Sequence, residues 1–307
     1  MPPREYALQN ISLSFGYNTN PNIDGDGVIL LVGRSGSGKS TLLRLLSGIE
    51  CPNYDGSIVV NDQAISNATT TIRMATSTKT MMPGIPSWVK MGIVPLQTGL
   101  LGTSQPVILE GKPDFDDSLT VMERIVQVGE DAVRRCIKYP GWNRADAANN
   151  APATIPDEAT IAAATTTMLQ LLAEDVSSLL TLTTSQISCR PSELSPSGEY
   201  LFGIACGCMM SMAPSIVVAA SNFISNGGDH NDECAKVHYP ILLFDELFDT
   251  EHPSIVESCA RGILNLIRAG GVIVSATHRP AHFCGMAART ITLSGGKVLG
   301  RILDETA

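Results

Sequence analysis

Continuously apolar runs alternate with helical patterns along this chain. VILLV at 28–32 is aliphatic throughout, which predicts a strand buried on both faces, and ALQNISL at 7–13 predicts a strand before it. Between them GYNTNPNIDGDG is turn chemistry. From Ser40, Leu42, Leu45, Leu46 and Ile49 recur at helical spacing, and Gly48 stands where a helix commonly stops. DGSIVVNDQAI predicts a short strand and turn, residues 66–90 an irregular insertion rich in Thr, Ser and Met, GIVPLQ at 92–97 a strand, and 98–115 a loop. A helix is expected from Ser118, with that serine as its N-cap, followed by a polar excursion, GWNRADAANNAPATIPDEA. Helical spacing resumes at Met168, Leu169, Leu172, Val176, Leu179 and Leu180.

The C-terminal third alternates clearly. ILLFDE predicts a strand, residues from about Pro253 to Arg268 a helix, GVIVSATH a strand, and TITLSGGKVL a hairpin that gives the sheet an antiparallel edge. Strands separated by helices argue for an α/β sheet. The expected architecture is one domain over 1–307, with a core of about 1–97 and 215–307 and a helical subdomain of about 98–214 inserted into it.

Composition narrows the class. With 307 residues, 44% hydrophobic and 17% charged, the chain can bury a full core, and a net charge of −9 offers no electrostatic footprint for nucleic acid. Eight cysteines, at 51, 136, 189, 206, 208, 234, 259 and 284, form no CxxC pair and no zinc-ligand spacing; they read as reduced thiols in a cytosol-like compartment. MPPREYALQN lacks the apolar core of a secretion signal. The uncharged run from Leu201 to Ile224 is long enough to cross a bilayer, but Gly203, Gly207, Ser211, Pro214, Ser215, Ser221 and Asn222 argue for a buried helix.

GRSGSGKST follows the strand VILLV and opens a helix, the context that a GxxxxGK[ST] phosphate loop requires. Gly33, Gly36 and Gly38 let the backbone curl so that the N–H groups of this loop, Gly33, Arg34, Ser35, Gly36, Ser37, Gly38, Lys39, Ser40 and Thr41, can face phosphate oxygens. Lys39 can reach the outer phosphates and the Ser40 hydroxyl can ligate magnesium. A strand that ends in two acids, ILLFDE, sets Asp245 at the carboxyl edge of the sheet, near that metal, and Glu246 toward an attacking water. His278, at the tip of VSATH and thirty-two residues beyond Glu246, is placed to contact the γ-phosphate. Gln97 ends GIVPLQ and is a third metal ligand candidate through its amide oxygen, with Gln105 in SQPVIL as the rival.

In this order the motifs resemble the nucleotide-binding domain of the ATP-binding cassette (ABC) superfamily, whose P-loop NTPase core carries an inserted helical subdomain. GRSGSGKST resembles its Walker A loop, Gln97 its Q-loop, ILLFDE its Walker B motif with catalytic glutamate, and His278 its switch histidine; ALQNISL, GSIVVNDQAIS, SLTVMERI and TITLSGGKVL are smaller echoes. ELSPSGEY falls where the family has its LSGGQ signature, which closes over the ATP held by a second copy. There the resemblance implies contacts from Ser195 or Ser197, with Gly198 and Glu199, at a helix N-terminus where Ser197 can cap. The signature has one residue more than LSGGQ, with a proline and with Glu for Gln. Where the family has an aspartate that crosses the dimer, LFDTEHP offers Asp249 out of register and His252 in its place, and Tyr6 is the nearest aromatic for adenine. Insertions near 66–90, 141–160 and 219–238 lengthen the domain.

The resemblance implies an ATPase that binds ATP and Mg²⁺, pairs as a homodimer or with a second cassette, and drives a separate membrane permease from the cytoplasmic side. The alternative is a nucleotide-gated module with weak turnover that serves a soluble complex. A cassette acting on DNA or ribosomes is disfavoured by the acidic charge, and a GTPase by the lack of a guanine-selecting NKxD.

Overall fold

The computed structural model describes residues 8–9, 11–13, 27–47, 58–60, 63–66, 89–90, 104–111, 117–138, 158–225, 237 and 239–303. Its strands are β1 (Val28–Val32), β2 (Ile58–Val60), β3 (Gln63–Ser66), β4 (Val89–Lys90), β5 (Pro106–Glu110), β6 (Ile241–Asp245), β7 (Val272–Thr277), β8 (Ala287–Ser294) and β9 (Lys297–Leu303). Its helices are α1 (Lys39–Leu46), α2 (Val121–Lys138), α3 (Glu158–Leu179), α4 (Thr184–Ser188), α5 (Pro196–Ser225) and α6 (Pro253–Arg268).

Seven of these strands form one sheet in the order β4-β5-β6-β7-β1-β8-β9, and β2 and β3 pair as a separate antiparallel hairpin. The pairs from β5 through β8 are parallel, whereas β4 and β9 join antiparallel at the two edges. The aliphatic runs are uninterrupted because the central strands are covered on both faces. Val28 and Leu30, Val107 and Leu109, and Leu242 and Phe244 face one core, while Ile29, Leu31, Ile108 and Leu243 face the other.

Several expectations need correction. PVILE, within the stretch expected as loop at 98–115, is the buried strand β5, parallel to β6. Its opening proline and short apolar run resemble a loop, but a strand covered on both faces needs no alternation and a proline is tolerated at its first position. The segment expected as a strand at 7–13 is not one at its described residues; there Gln9 N–H donates to the Gly296 carbonyl at 2.7 Å, at the turn between β8 and β9. The N-cap of α2 is Thr120 rather than Ser118. Thr120 Oγ1 accepts from Glu123 N–H at 3.3 Å and Glu123 Oε2 accepts from Thr120 N–H at 2.9 Å, a reciprocal box that TVME carries in the sequence. Helix α3 starts at Glu158, ahead of the spacing that begins at Met168, and the strand expected at 92–97 lies outside the described residues.

The uncharged run belongs to α5. This is the one helix among the described residues long and apolar enough to cross a membrane, and 94% of its most apolar window is buried inside the protein. Its polar residues have partners in the fold. Ser211 Oγ donates to the Gln105 carbonyl at 2.6 Å and accepts from Ile241 N–H at 2.9 Å, so one buried hydroxyl ties the starts of β5 and β6 to the helix. Gly207 allows α5 to lie against the sheet, since a Cβ there would meet Leu109 at 3.1 Å and Leu242 at 3.4 Å.

Gly262 sets a second close approach. A Cβ at this position of α6 would meet the Leu180 carbonyl oxygen at 2.7 Å, a backbone contact that cannot rotate away. Gly262→Ala gains about 1 kcal/mol of helix propensity, but overpacking at a fixed backbone costs about 1–3 kcal/mol. The variant is expected to unfold at lower denaturant with an unchanged slope, and an unchanged or higher midpoint would show that the contact yields.

Candidate nucleotide site

The sheet order brings the distant motifs together. β6, β7 and β1 are consecutive neighbours in the sheet, so the loops at their carboxyl ends share one edge of the core. The loop after β1 runs into α1, with Gly33 at φ 155°, Gly36 at φ 76° and Gly38 at φ 103°, conformations that side chains rarely adopt. At Gly33 a Cβ would lie 2.3 Å from the Leu293 carbonyl and 2.7 Å from Ser37 Oγ. Arg34, Ser35 and Gly36 form the exposed crest, Ser37 is buried beneath it, and Ser40 and Thr41 lie in the first turn of α1.

Lys39 is only 4% exposed. Its ammonium donates to the Gly33 carbonyl at 3.0 Å and the Arg34 carbonyl at 3.5 Å, and lies 3.3 Å from His278 Nε2. Ser40 Oγ donates to Asp245 Oδ1 at 2.9 Å, which joins the phosphate loop to the end of β6. Glu246 follows at φ 56°, a left-handed conformation that costs a non-glycine residue about 1–3 kcal/mol. Its N–H donates to the Ala276 carbonyl at 3.0 Å, and its Oε1 lies 3.0 Å from His278 Nε2. Lys39, Ser40, Asp245, Glu246 and His278 therefore converge from three loops.

The groups present fit a phosphate chain and a divalent cation. Ser37 Oγ is buried with no hydrogen-bond partner among the described residues, beside a curled run of backbone N–H groups and an ammonium. Burial holds the Asp245 carboxyl above its ordinary range; the Ser40 hydrogen bond opposes this, and the Glu110 and Glu246 charges add to it. A buried carboxylate crowded by two others is a place where bound positive charge is favourable.

Glu110 was not legible as a site residue. It ends β5 in register with Asp245. Gln97, the expected ligand at the end of GIVPLQ, lies outside the described residues, as does Tyr6. The rival, Gln105, is overturned as a candidate ligand. It is buried at the amino end of β5, beside the start of β6 and about 16 Å along the strand from the edge where Asp245 sits.

The ELSPSGEY segment forms a 3-10 turn over Pro191–Glu193 and then the first turn of α5. Ser195, not Ser197, caps it: Ser195 Oγ accepts from Gly198 N–H at 3.2 Å, with Pro196 at the first helical position, where its missing N–H costs nothing. Ser197 Oγ lies 3.3 Å from Ser195 Oγ, and Ser195 and Pro196 are exposed, so the helix tip is open to solvent. Glu199 is half-buried in the same turn. Tyr200, next along, packs at a tilt against Phe248, with ring centroids 4.9 Å apart, and its hydroxyl donates to Glu251 at 2.7 Å. Burial, together with that carboxylate, raises its phenol well above the ordinary value. The tip of α5 is thereby fixed to the loop after β6.

Residues 17–88, which include the phosphate loop, match the family described as ABC transporter. The fold resembles the crystal structure of a nucleotide-free ATP-binding cassette from an ABC transporter, with a TM-score of 0.51 and 17% identity over 97% of this chain and 86% of that one. It also resembles the ADP conformation of an ATP-binding cassette of an ABC transporter, with a TM-score of 0.54 and 18% identity over 97% and 85%. The chain has the fold of these ATP-binding cassettes. Curated relatives agree within a short segment. The chain is 37% identical over 82 residues to the aliphatic sulfonates import ATP-binding protein SsuB of Albidiferax ferrireducens, and 44% identical over 73 residues to the lipoprotein-releasing system ATP-binding protein LolD of Ehrlichia canis. These matches take in 25% and 21% of the chain, and it spans under a third of either relative's length, 29% and 31%.

Proposed function

We propose that this cassette binds ATP with Mg²⁺ and hydrolyses it, paired with a second cassette, to drive a separate membrane permease from the cytoplasmic side. The observation that carries the reading is the convergence of Ser40 on Asp245 at 2.9 Å and of Glu246 on His278 at 3.0 Å, beside the Lys39 ammonium. Backbone N–H groups of the phosphate loop and Lys39 hold the triphosphate. Ser40 and Asp245 hold the metal, with Gln97 proposed as a further ligand. When bound, Mg²⁺ neutralises charge on the transferring phosphoryl group. Glu246 orients the attacking water and accepts its proton. His278, within reach of both Glu246 and Lys39, holds the γ-phosphate end. The exposed tip of α5 offers the N–H and hydroxyl of Ser197, with Ser195, Gly198 and Glu199 in the same turn, to the nucleotide of the partner cassette. The import and lipoprotein-release systems named for the curated relatives support a transport role.

One observation favours a second reading, a nucleotide-gated module with weak turnover. His252, standing where the family has its crossing aspartate, is used to cap α6, with Nδ1 accepting from Ser254 N–H at 3.3 Å. One experiment separates the two readings. Purified protein with ATP and Mg²⁺ is expected to double its mass by light scattering and to release phosphate. Dimerisation without release supports the gated module, and neither response refutes both.

A further inference from the structure

Asp249 is the residue of the 246–252 loop whose contacts the roles above leave unexplained. Its carboxylate spans two consecutive residues at the exit of β7. Oδ2 accepts from His278 N–H at 2.7 Å and Oδ1 accepts from Thr277 Oγ1 at 2.5 Å. Thr277, only 1% exposed, in turn accepts from Arg279 N–H at 2.9 Å. One carboxylate thus fixes the backbone of residues 277–279, the three that decide where the His278 ring points. The carboxylate is itself held in place, since Asp249 N–H donates to the Glu246 carbonyl at 3.1 Å and Phe248 packs against Phe244 and Phe283.

We propose that Asp249 is a positioning residue that holds His278 against Glu246. The inference rests on the hydrolytic reading above and deepens it. Glu246 and His278 lie on separate loops, and both are largely accessible, with side chains 48% and 38% exposed, so their 3.0 Å contact is not enforced by packing around them. It is enforced from behind. Asp249 binds the loop of Glu246 through its own N–H and the loop of His278 through its carboxylate, so a single residue sets the separation between the two groups. A hydroxyl in its place would reach one of the two donors; a carboxylate takes both in one plane.

The test is a double-mutant cycle on ATP turnover with Mg²⁺, using the parent chain, Asp249→Ala, His278→Ala and the double variant. A displacement of about 1 Å at a reacting group costs about 100-fold in rate, so Asp249→Ala is expected to lower kcat by about 10- to 100-fold with KM for ATP unchanged. The double variant is expected to be no slower than His278→Ala, because Asp249 acts through that histidine. Asp249→Asn, which keeps one acceptor, is expected to fall between. Losses that multiply in the double variant, or a parent-like kcat in Asp249→Ala, overturn the proposal. If Asp249→Ala does not fold by thermal unfolding, Asp249→Asn carries the same cycle. A parent chain with no turnover would end the hydrolytic reading without ending this one, which is then read by NMR of labelled histidine rings. The resonances that vanish in His278→Ala identify that ring, and they are expected to move in Asp249→Asn; unmoved resonances sink the inference.

Discussion

Glu246→Gln is expected to lower ATP turnover by about 10²- to 10⁴-fold, the usual contribution of a positioned general base, and to leave ATP binding intact. The two effects separate because of where the side chain points. Among the described residues its carboxylate meets His278 at 3.0 Å, while the loop proposed to grip phosphate is held by the bond from Lys39 to the Gly33 carbonyl and by the contact of Ser40 with Asp245. Glutamine has the same shape and the same hydrogen-bonding reach, so the left-handed turn at φ 56° need not change. What it lacks is a site that can take a proton from water. Single-turnover phosphate release, set beside a titration with a fluorescent ATP analogue, reads both quantities. An unchanged rate would remove Glu246 from the chemistry, and a lost affinity would mean that it holds nucleotide instead.

How much of this was legible in the sequence depended on what each residue needs nearby. The phosphate loop is local: three glycines, a lysine and a serine within nine positions specify a curled backbone, and VILLV and the leucines after Ser40 specify the strand and helix on either side. The same holds for β6, α6 and β7, where an apolar run, a Pro at the first helical position and a second apolar run have no competing reading. β5 was missed because PVILE is only five residues long and its identity as a strand comes from β6 beside it, a contact made across more than 130 residues of chain. The same pairing is what brings Glu110 beside Asp245. The cap, expected at Ser197, is Ser195 because of Pro196: a helix that starts on that proline puts its cap one residue before it. Asp249 and Tyr200 stand in motif segments, LFDTEHP and ELSPSGEY, that give no hint of what either side chain contacts. Their importance lies in partners, His278 and Glu251, that the sequence separates by 29 and 51 residues.

Lys39→Ala is expected to act on affinity rather than on the chemical step. The side chain is buried, and its ammonium has two loop carbonyls as acceptors, at 3.0 and 3.5 Å. Removing one partner of a buried, hydrogen-bonded charge pair costs about 2–5 kcal/mol, which corresponds to roughly 30- to 5000-fold in Kd. An ordinary glycine-rich turn would lose little, because a surface lysine contributes weakly to any one contact. Comparison of ligands separates loss of charge from collapse of the loop. On the proposed reading the ammonium acts on the outer phosphates, so ATP and ADP affinities should fall while the weak affinity for AMP stays where it was. An equal fall for AMP would mean that Lys39 shapes the loop through its bonds to the Gly33 and Arg34 carbonyls. No change for ATP would mean that GRSGSGKST curls without gripping phosphate, and the assignments of Ser40, Asp245, Glu246 and His278 would lose the ligand around which they are arranged.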